Sequence, residues 1–546
     1  MNPSGPAPTA SAHRDTFARD HLPPPALWPV MELTLPDLAY PPRLNCAVEL
    51  LDRNAAADPD RPAIVYPDGR WRYGELAETA NRIARVLVED LGLEPGNRVL
   101  LRGPNNPMLA ACWFAVLKAG GIVVCTMPLL RPREIAYVLD KARVTLALTD
   151  ARFSDDLLQA ANVAAAAPQV VEFSSPASPA QLETLMRDKP DTFDAVDTAA
   201  DDIAIIAFTS GTTGKAKGTM HNHRDILAVA DTFSRHVLRP DPDDLFCGSP
   251  PLAFTFGLGG LILFPMRIGA STLLLEQAAP PLLLEGIRSF GATISFTAPT
   301  AYRAMTAEAA AGGVGRLRKC VSAGETLPAA TFEAWERATG IRIIDGIGST
   351  ELLHIFISAA DADIRPGSTG RAVPGFRACI LDEQGREAPR GTIGRLAVRG
   401  PTGCRYLDDP ERQAAYVQDG WNLTGDAYVE DQDGYFWYQA RTDDMIISGG
   451  YNIAGPEVEN VLLEHDCVKE CGVIGVPDLE RGNVVTAVVV LREGVRADDE
   501  TVRMLQDHVK AQLAPYKYPR VIRFAETLPR TATGKLQRHL LREESP

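Results

Sequence analysis

Ten consecutive residues carry the strongest local signal for chemistry: Thr209, Ser210, Gly211, Thr212, Thr213, Gly214, Lys215, Ala216, Lys217 and Gly218. Glycines let backbone N–H groups approach an anion closely, hydroxyls donate to its oxygens, and lysines offset its charge. Together they suit a polyphosphate cradle; on composition alone a solvated surface loop competes with that reading. The ribbon follows an apolar run, 203–208 (IAIIAF), and precedes a helical pattern at 221–237 (HNHRDILAVADTFSRHV). It is not a Walker-type loop, because the glycine that motif needs at position 209 is a threonine.

A second cluster, Asp345, Gly346, Ile347, Gly348, Ser349, Thr350 and Glu351, follows an apolar run ending at Ile344. Strand, glycine turn, hydroxyl and carboxylate is the order expected where a ligand meets the C-terminal edge of a parallel sheet. Glu351 is a candidate ligand for Mg2+, which binds one or two carboxylates together with phosphate oxygens. The competing reading is a helix start, with Ser349 or Thr350 as cap and Glu351 in the first turn. A third set lies late: Thr424-Gly425-Asp426, the stretch from Arg441 to Gly450, and Pro529-Arg530-Thr531-Ala532-Thr533-Gly534-Lys535. Each of these alone reads as a turn.

The elements that must position these residues alternate. Apolar runs (AIVY, RVLLRG, GIVVCTM, VTLALTD) are separated by helical stretches, and the pattern resumes at 203–208, 271–275, 292–297 and 341–344. Such alternation predicts βαβ units and a mainly parallel sheet, an α/β fold. Beyond residue 375, shorter segments with Gly and Asp turns predict antiparallel β structure. The division expected is an extended, Pro-rich arm over 1–44, held by Trp28 and Leu33, a large region over 45–441, and a small separate domain over 442–546.

The 546 residues are 45% hydrophobic and 23% charged, with mean hydropathy -0.07, as in an ordinary globular protein. A net charge of -15 argues against sequence-independent binding to nucleic acid or an anionic membrane. Nine irregularly spaced cysteines read as reduced thiols, and no secretory leader or membrane span is apparent, so a cytoplasmic location is expected.

Taken together, the ordered motifs resemble the acyl-adenylate-forming superfamily of acyl- and aryl-CoA ligases, peptide-synthetase adenylation domains and luciferases. The resemblance spans about residues 45–540. It implies a large domain of two stacked αβ sheets plus a β-barrel portion, and a small mobile α+β C-terminal domain turning about a hinge at Asp443. It implies that the 209–218 ribbon wraps the β- and γ-phosphates of ATP, with Lys215 adding charge. Gly324, Glu325 and Thr326 would lie along adenine. Asp345 to Ser349 would complete the pocket, with Thr350 near the α-phosphate and Glu351 on Mg2+. Asp426 would accept the ribose hydroxyls and Arg441 would reach the nucleotide. Lys535 would bridge the acid and the α-phosphate, and Gly449 and Gly450 would border the tunnel for coenzyme A. Ala216 stands where the family usually has Pro, and Ile347 where it often has an aromatic.

DGIGSTE followed by Leu352-Leu353-His354, and PPLAFTFGLGG at 250–260, are similar to the benzoate-CoA ligase branch; the arm and RLNCAVELLD are similar to 2-aminobenzoate-CoA ligases. The resemblance therefore implies a benzoate-type acid, 2-aminobenzoate or benzoate, converted through acyl-AMP to its CoA thioester by a monomer or homodimer. Phe254, Phe256, Gly257, His354 and Ile355 are the candidate acid pocket, because an aromatic ring needs a flat apolar slot with few polar groups. The alternatives are a medium-chain or branched fatty acyl-CoA ligase, an adenylation enzyme loading a carrier protein, and an inactive scaffold.

Overall fold

The protein is described by a computed structural model covering residues 9–174, 181–209, 216–441, 444–448, 451–478, 482–513, 516–531 and 534–543. Two large sheets dominate. One has six strands: Gln169–Phe173, Leu146–Asp150, Arg98–Arg102, Ile122–Thr126 and Ile203–Phe208 run parallel, and Gly218–Asn222 closes the edge antiparallel. The other has nine. Its parallel centre is Ile343–Gly348, Lys319–Ser322, Ile294–Thr297, Leu245–Gly248, Ser271–Leu273 and Pro62–Tyr66, in that order. Antiparallel strands Ile355–Ser358 and Arg371–Ala372 extend one edge, and Gly69–Arg72 the other.

Helices join the sheets. Pro107–Lys118 packs on the six-stranded sheet and Tyr73–Arg85 on the nine-stranded one, and the two helices pack on each other. Pro107 opens the first helix where a missing N–H costs nothing, and the Asn106 side chain caps it by accepting from the Leu109 N–H at 2.9 Å. The sequence PMLAACWFAVLK is apolar nearly all round, and all of it but Met108 is buried, as such a helix must be. Lys118 closes it inside the protein, paired with Asp52 at 2.7 Å. One continuous apolar core therefore spans both sheets, and the expected pair of αβ sheets is present.

Antiparallel structure follows residue 375 as expected. Strands Arg377–Leu381, Ile393–Arg399, Trp421–Glu430, Val417–Gln418 and Phe436–Arg441 form a five-stranded sheet. Near the C-terminus, strands Val468–Asp478, Gly482–Leu491 and Val521–Phe524 pack under helices Gly455–Leu463 and Asp499–Gln512, around an apolar cluster of their own.

Two expectations are corrected. The helix expected from His221 starts at His223, because Gly218–Asn222 pairs with Ile203–Phe208. The polar HNH stretch is buried and finds its partners inside; Asn222 N–H, for example, donates to Asp225 at 3.1 Å. The arm is also held differently. Leu33 is 44% exposed and secures nothing. Instead the Phe17 ring lies between the Arg98 and Arg143 guanidiniums, 4.9 and 4.6 Å away. Backbone N–H groups of Val30 and Glu32 donate to Gly420 and Gly400, and Gln413 donates to the Leu27 carbonyl. Trp28 does take part, its N–H on the Pro23 carbonyl and its ring near Arg405.

Candidate active site

The parallel strands of the nine-stranded sheet deliver their C-terminal ends to one cavity of about 1380 Å³. Crevices outside the carboxyl ends of parallel strands are the usual ligand sites of α/β folds, and this one exceeds the roughly 300–1,000 Å³ of a single-ligand pocket. After Lys319–Ser322 come Gly324, Glu325 and Thr326; after Ile343–Gly348 come Ser349, Thr350 and Glu351. Thr209 and Lys217 enter from the six-stranded sheet, Asp426 and Arg441 from the antiparallel one, and Arg530 and Lys535 from the C-terminal part.

Thr209 and Lys217 pin the two ends of the expected phosphate ribbon. The Thr209 N–H donates to the Lys217 carbonyl at 3.0 Å, and the Lys217 N–H to Thr209 Oγ1 at 3.3 Å. Ser210, Gly211, Thr212, Thr213, Gly214 and Lys215 lie outside the described residues, as do Asp443, Gly449 and Gly450. Gly218 is buried in its strand and is not part of the cavity wall.

Gly324 has φ +90°, a conformation that favours glycine. Glu325 accepts from Arg530 Nη1 at 3.3 Å. Burial pushes its carboxyl up, and the Arg530 charge only partly opposes that. Asp345, Gly346, Ile347, Gly348 and Ser349 form wall. Burial pushes the Asp345 carboxyl up to about 7, and its Oδ1 lacks a partner among the described residues. A Cβ on Gly346 would meet the Ile355 side chain at 2.8 Å, so the strand needs glycine there.

No helix begins at Ser349. The chain turns through 350–354, with Leu353 at φ +71°, and returns as Ile355–Ser358, so the helix-cap reading fails. Three groups from elsewhere hold this turn. His221 Nε2 lies 2.7 Å from the Thr350 carbonyl and donates to it, Tyr406 OH donates to Glu351 Oε1 at 2.6 Å, and Tyr416 OH lies 3.5 Å from Ser349 Oγ. Arg441 Nη1 donates to Asp426 Oδ1 and to the Thr424 carbonyl, each at 3.1 Å. Burial raises the Asp426 carboxyl, with Arg441 pulling the other way.

The apolar end is built from Phe254, Phe256, His354 and Ile355. His354 stands among Phe256, Phe264, Phe233 and Phe296, with ring centroids 5.7, 4.6, 5.6 and 6.5 Å away. Neither ring nitrogen makes a hydrogen bond within the described residues, and burial lowers the ring to about 3, so it is a neutral imidazole. Gly257 stands behind the wall, where a Cβ would meet the Pro251 carbonyl at 2.2 Å; it is a packing residue rather than a lining one.

Sequence reasoning missed Tyr406, Tyr416, His221 and the phenylalanines 233, 264 and 296. Arg530 was quoted within its motif but given no role. Glu351 fits Mg2+: it is a buried carboxylate in the cavity wall whose Oε1 is held by Tyr406, and among the described residues no hydrogen bond reaches Oε2. Among the described residues no group of three or more His, Cys, Asp or Glu could cage a metal. A single carboxylate suits an ion that takes its other ligands from phosphates and water.

Two parallel-sheet layers, an antiparallel sheet and a small α+β unit meeting over one cavity constitute the two-domain adenylate-forming fold. The chain belongs to the AMP-binding enzyme family, which matches residues 51–405; the AMP-binding enzyme C-terminal domain matches residues 457–535. Benzoate–CoA ligase of Thauera aromatica is 35% identical over 518 residues, covering 93% of this chain and 98% of that protein. 3-Hydroxybenzoate–CoA ligase of Aromatoleum sp. (strain CIB) is 32% identical, with 92% and 97% covered. The crystal structure of the anthranilate CoA ligase AuaEII in complex with anthranoyl-AMP superposes with a TM-score of 0.89 at 35% identity, covering 94% of this chain and 99% of that one.

Proposed function

We propose that this protein is an ATP-dependent, AMP-forming aryl-CoA ligase acting on a benzoate-type acid. One observation carries the reading: a single cavity has an aromatic, apolar end around a neutral His354, a polar end with Thr350, Glu351 and Asp426, and Lys535 in its wall. Relatives named for benzoate, 3-hydroxybenzoate and anthranilate support the acid class.

A carboxylate is a poor electrophile because attack would expel oxide. Its oxygen attacks the α-phosphorus of ATP, pyrophosphate leaves, and the acid becomes an acyl-AMP. Both reactants are anions, so the protein's task is alignment and charge neutralisation. Lys535 donates to the acid and the α-phosphate, Lys217 and the backbone around Thr209 receive the β- and γ-phosphates, and Asp426 accepts the ribose hydroxyls. Glu351 would hold Mg2+, which supplies positive charge to the phosphate oxygens when bound. The thiol of coenzyme A then attacks the acyl carbonyl and AMP leaves. For that second step the C-terminal part turns away and carries Lys535 with it, with Asp443 as the proposed hinge.

All nine cysteines are free, which fits the reducing cytoplasm. No described helix is long and apolar enough to cross a membrane.

Pyrophosphate release with a panel of acids tests the reading. Benzoate or 2-aminobenzoate turning over faster than hexanoate is expected; the reverse order overturns the aryl assignment. Coenzyme-A-dependent consumption of the acyl-AMP excludes carrier-protein loading.

A further inference from the structure

The 350–354 turn carries Thr350 and Glu351 but belongs to no helix or strand. Its support arrives from distant parts of the chain. The Tyr406 hydroxyl, donating to Glu351 Oε1 at 2.6 Å, belongs to a residue 1% exposed and meets a glutamate 9% exposed. His221, wholly buried, holds the Thr350 carbonyl at 2.7 Å.

These two supports are neighbours. Met220 N–H donates to the Arg405 carbonyl and Leu407 N–H to the Gly218 carbonyl, both at 2.8 Å, so residues 405–407 lie along Gly218–Asn222. The pairing is fixed further by Arg405, whose guanidinium meets the buried Asp225 at 3.0 Å. Trp28 of the N-terminal arm lies against that guanidinium. Lys217 Nζ stands 5.4 Å over the Tyr406 ring, so one side chain meets both Lys217 and Glu351.

We propose that Tyr406 and His221 are positioning residues that clamp the Thr350–Glu351 dipeptide and thereby set the preference of the site for metal-bound over metal-free nucleotide. The proposal rests on the assignment of Glu351 to Mg2+. A carboxylate on three rotatable side-chain bonds points nowhere in particular until one oxygen is held. Tyr406 holds Oε1 and leaves Oε2 for a cation, while His221 fixes the backbone from which the side chain springs. Hydrogen bonds to charged acceptors are the stronger kind, so losing the Tyr406 hydroxyl falls mainly on metal-dependent binding.

Calorimetric titration of the full chain with α,β-methylene-ATP, in excess Mg2+ and in EDTA, reads this out separately from activity. Tyr406→Phe is expected to weaken binding in Mg2+ about tenfold and binding in EDTA by less than about twofold. His221→Gln, which keeps a donor, stays near the parent, whereas His221→Phe follows Tyr406→Phe. Equal losses with and without metal, or no loss in Mg2+, overturn the clamp. Should Tyr406→Phe fail to fold, the two His221 variants decide. Glu351→Gln separates the two assignments: if it keeps full Mg2+-dependent affinity, the metal assignment of Glu351 falls, and if it loses that affinity while Tyr406→Phe does not, only the clamp falls.

Discussion

The Lys535 side chain crosses from the C-terminal part to lie against Gly324, its Cε 3.9 Å from the point a Cβ on Gly324 would occupy. The ammonium group is thereby delivered beside the segment that follows the Lys319–Ser322 strand. Lys535 thus shares the cavity wall with Gly324 and Glu325.

Lys535→Ala is expected to slow acyl-AMP formation about 10²- to 10⁴-fold, roughly 3–5 kcal/mol of transition-state stabilisation. Conversion of supplied acyl-AMP to thioester should persist. Rapid-quench measurement of the two half-reactions checks this, and equal losses in both would contradict the division of labour.

Arg530 bonds Glu325 at 3.3 Å and Glu470 at 2.9 Å, linking the residues next to Lys535 both to the large region and to the strand Val468–Asp478. Glu325→Gln removes the charge across that junction. Adenylation should fall about 3- to 10-fold, as for a partly buried charged hydrogen bond, with thioester formation unchanged or faster. Slower thioester formation from acyl-AMP would show that the junction does not favour the closed state.

Gly259 lies under His354, and a Cβ there would come within 2.2 Å of the ring. Gly259→Ala should push the imidazole into the apolar end of the cavity. The KM for 2-aminobenzoate is expected to rise more than that for benzoate, with the KM for ATP unaltered. A uniform change across acids would place His354 away from the acid.

Asp345 is held protonated by burial up to about pH 7, against 3.8 for an ordinary aspartate. The folded state therefore binds more protons than the unfolded one between these values. The contribution is present below about pH 4 and is lost as pH rises to 7, a swing of order 4 kcal/mol at most. Urea melts of the parent and Asp345→Asn across pH 4–7 should show the parent losing stability relative to the variant. A constant difference would mean the carboxyl ionises normally.

Short-range pattern made much of this legible. The run IAIIAF is a buried strand because every residue in it is apolar, and glycine-bearing loops follow strands where ligands fit. Gly257 shows the limit: its neighbours suggest a pocket wall, yet the Pro251 carbonyl claims the space beside it. His221 and Tyr406 were invisible for another reason. Their partners lie 129 and 55 residues away, and no local periodicity encodes such a meeting. The HNH stretch, read as the start of a helix, misled because its pairing with Ile203–Phe208 lies across the ribbon and leaves no mark in local periodicity.

The N-terminal arm has a consequence for biosynthesis. Leu27 accepts its hydrogen bond from Gln413, 386 residues further on. At about 5–20 residues per second of translation, Leu27 is made roughly 20–80 seconds before Gln413. Its prolines keep it extended and poor at wrong pairings meanwhile. The contact between Leu27 and Gln413 therefore forms only after the strands of both parallel sheets have been made.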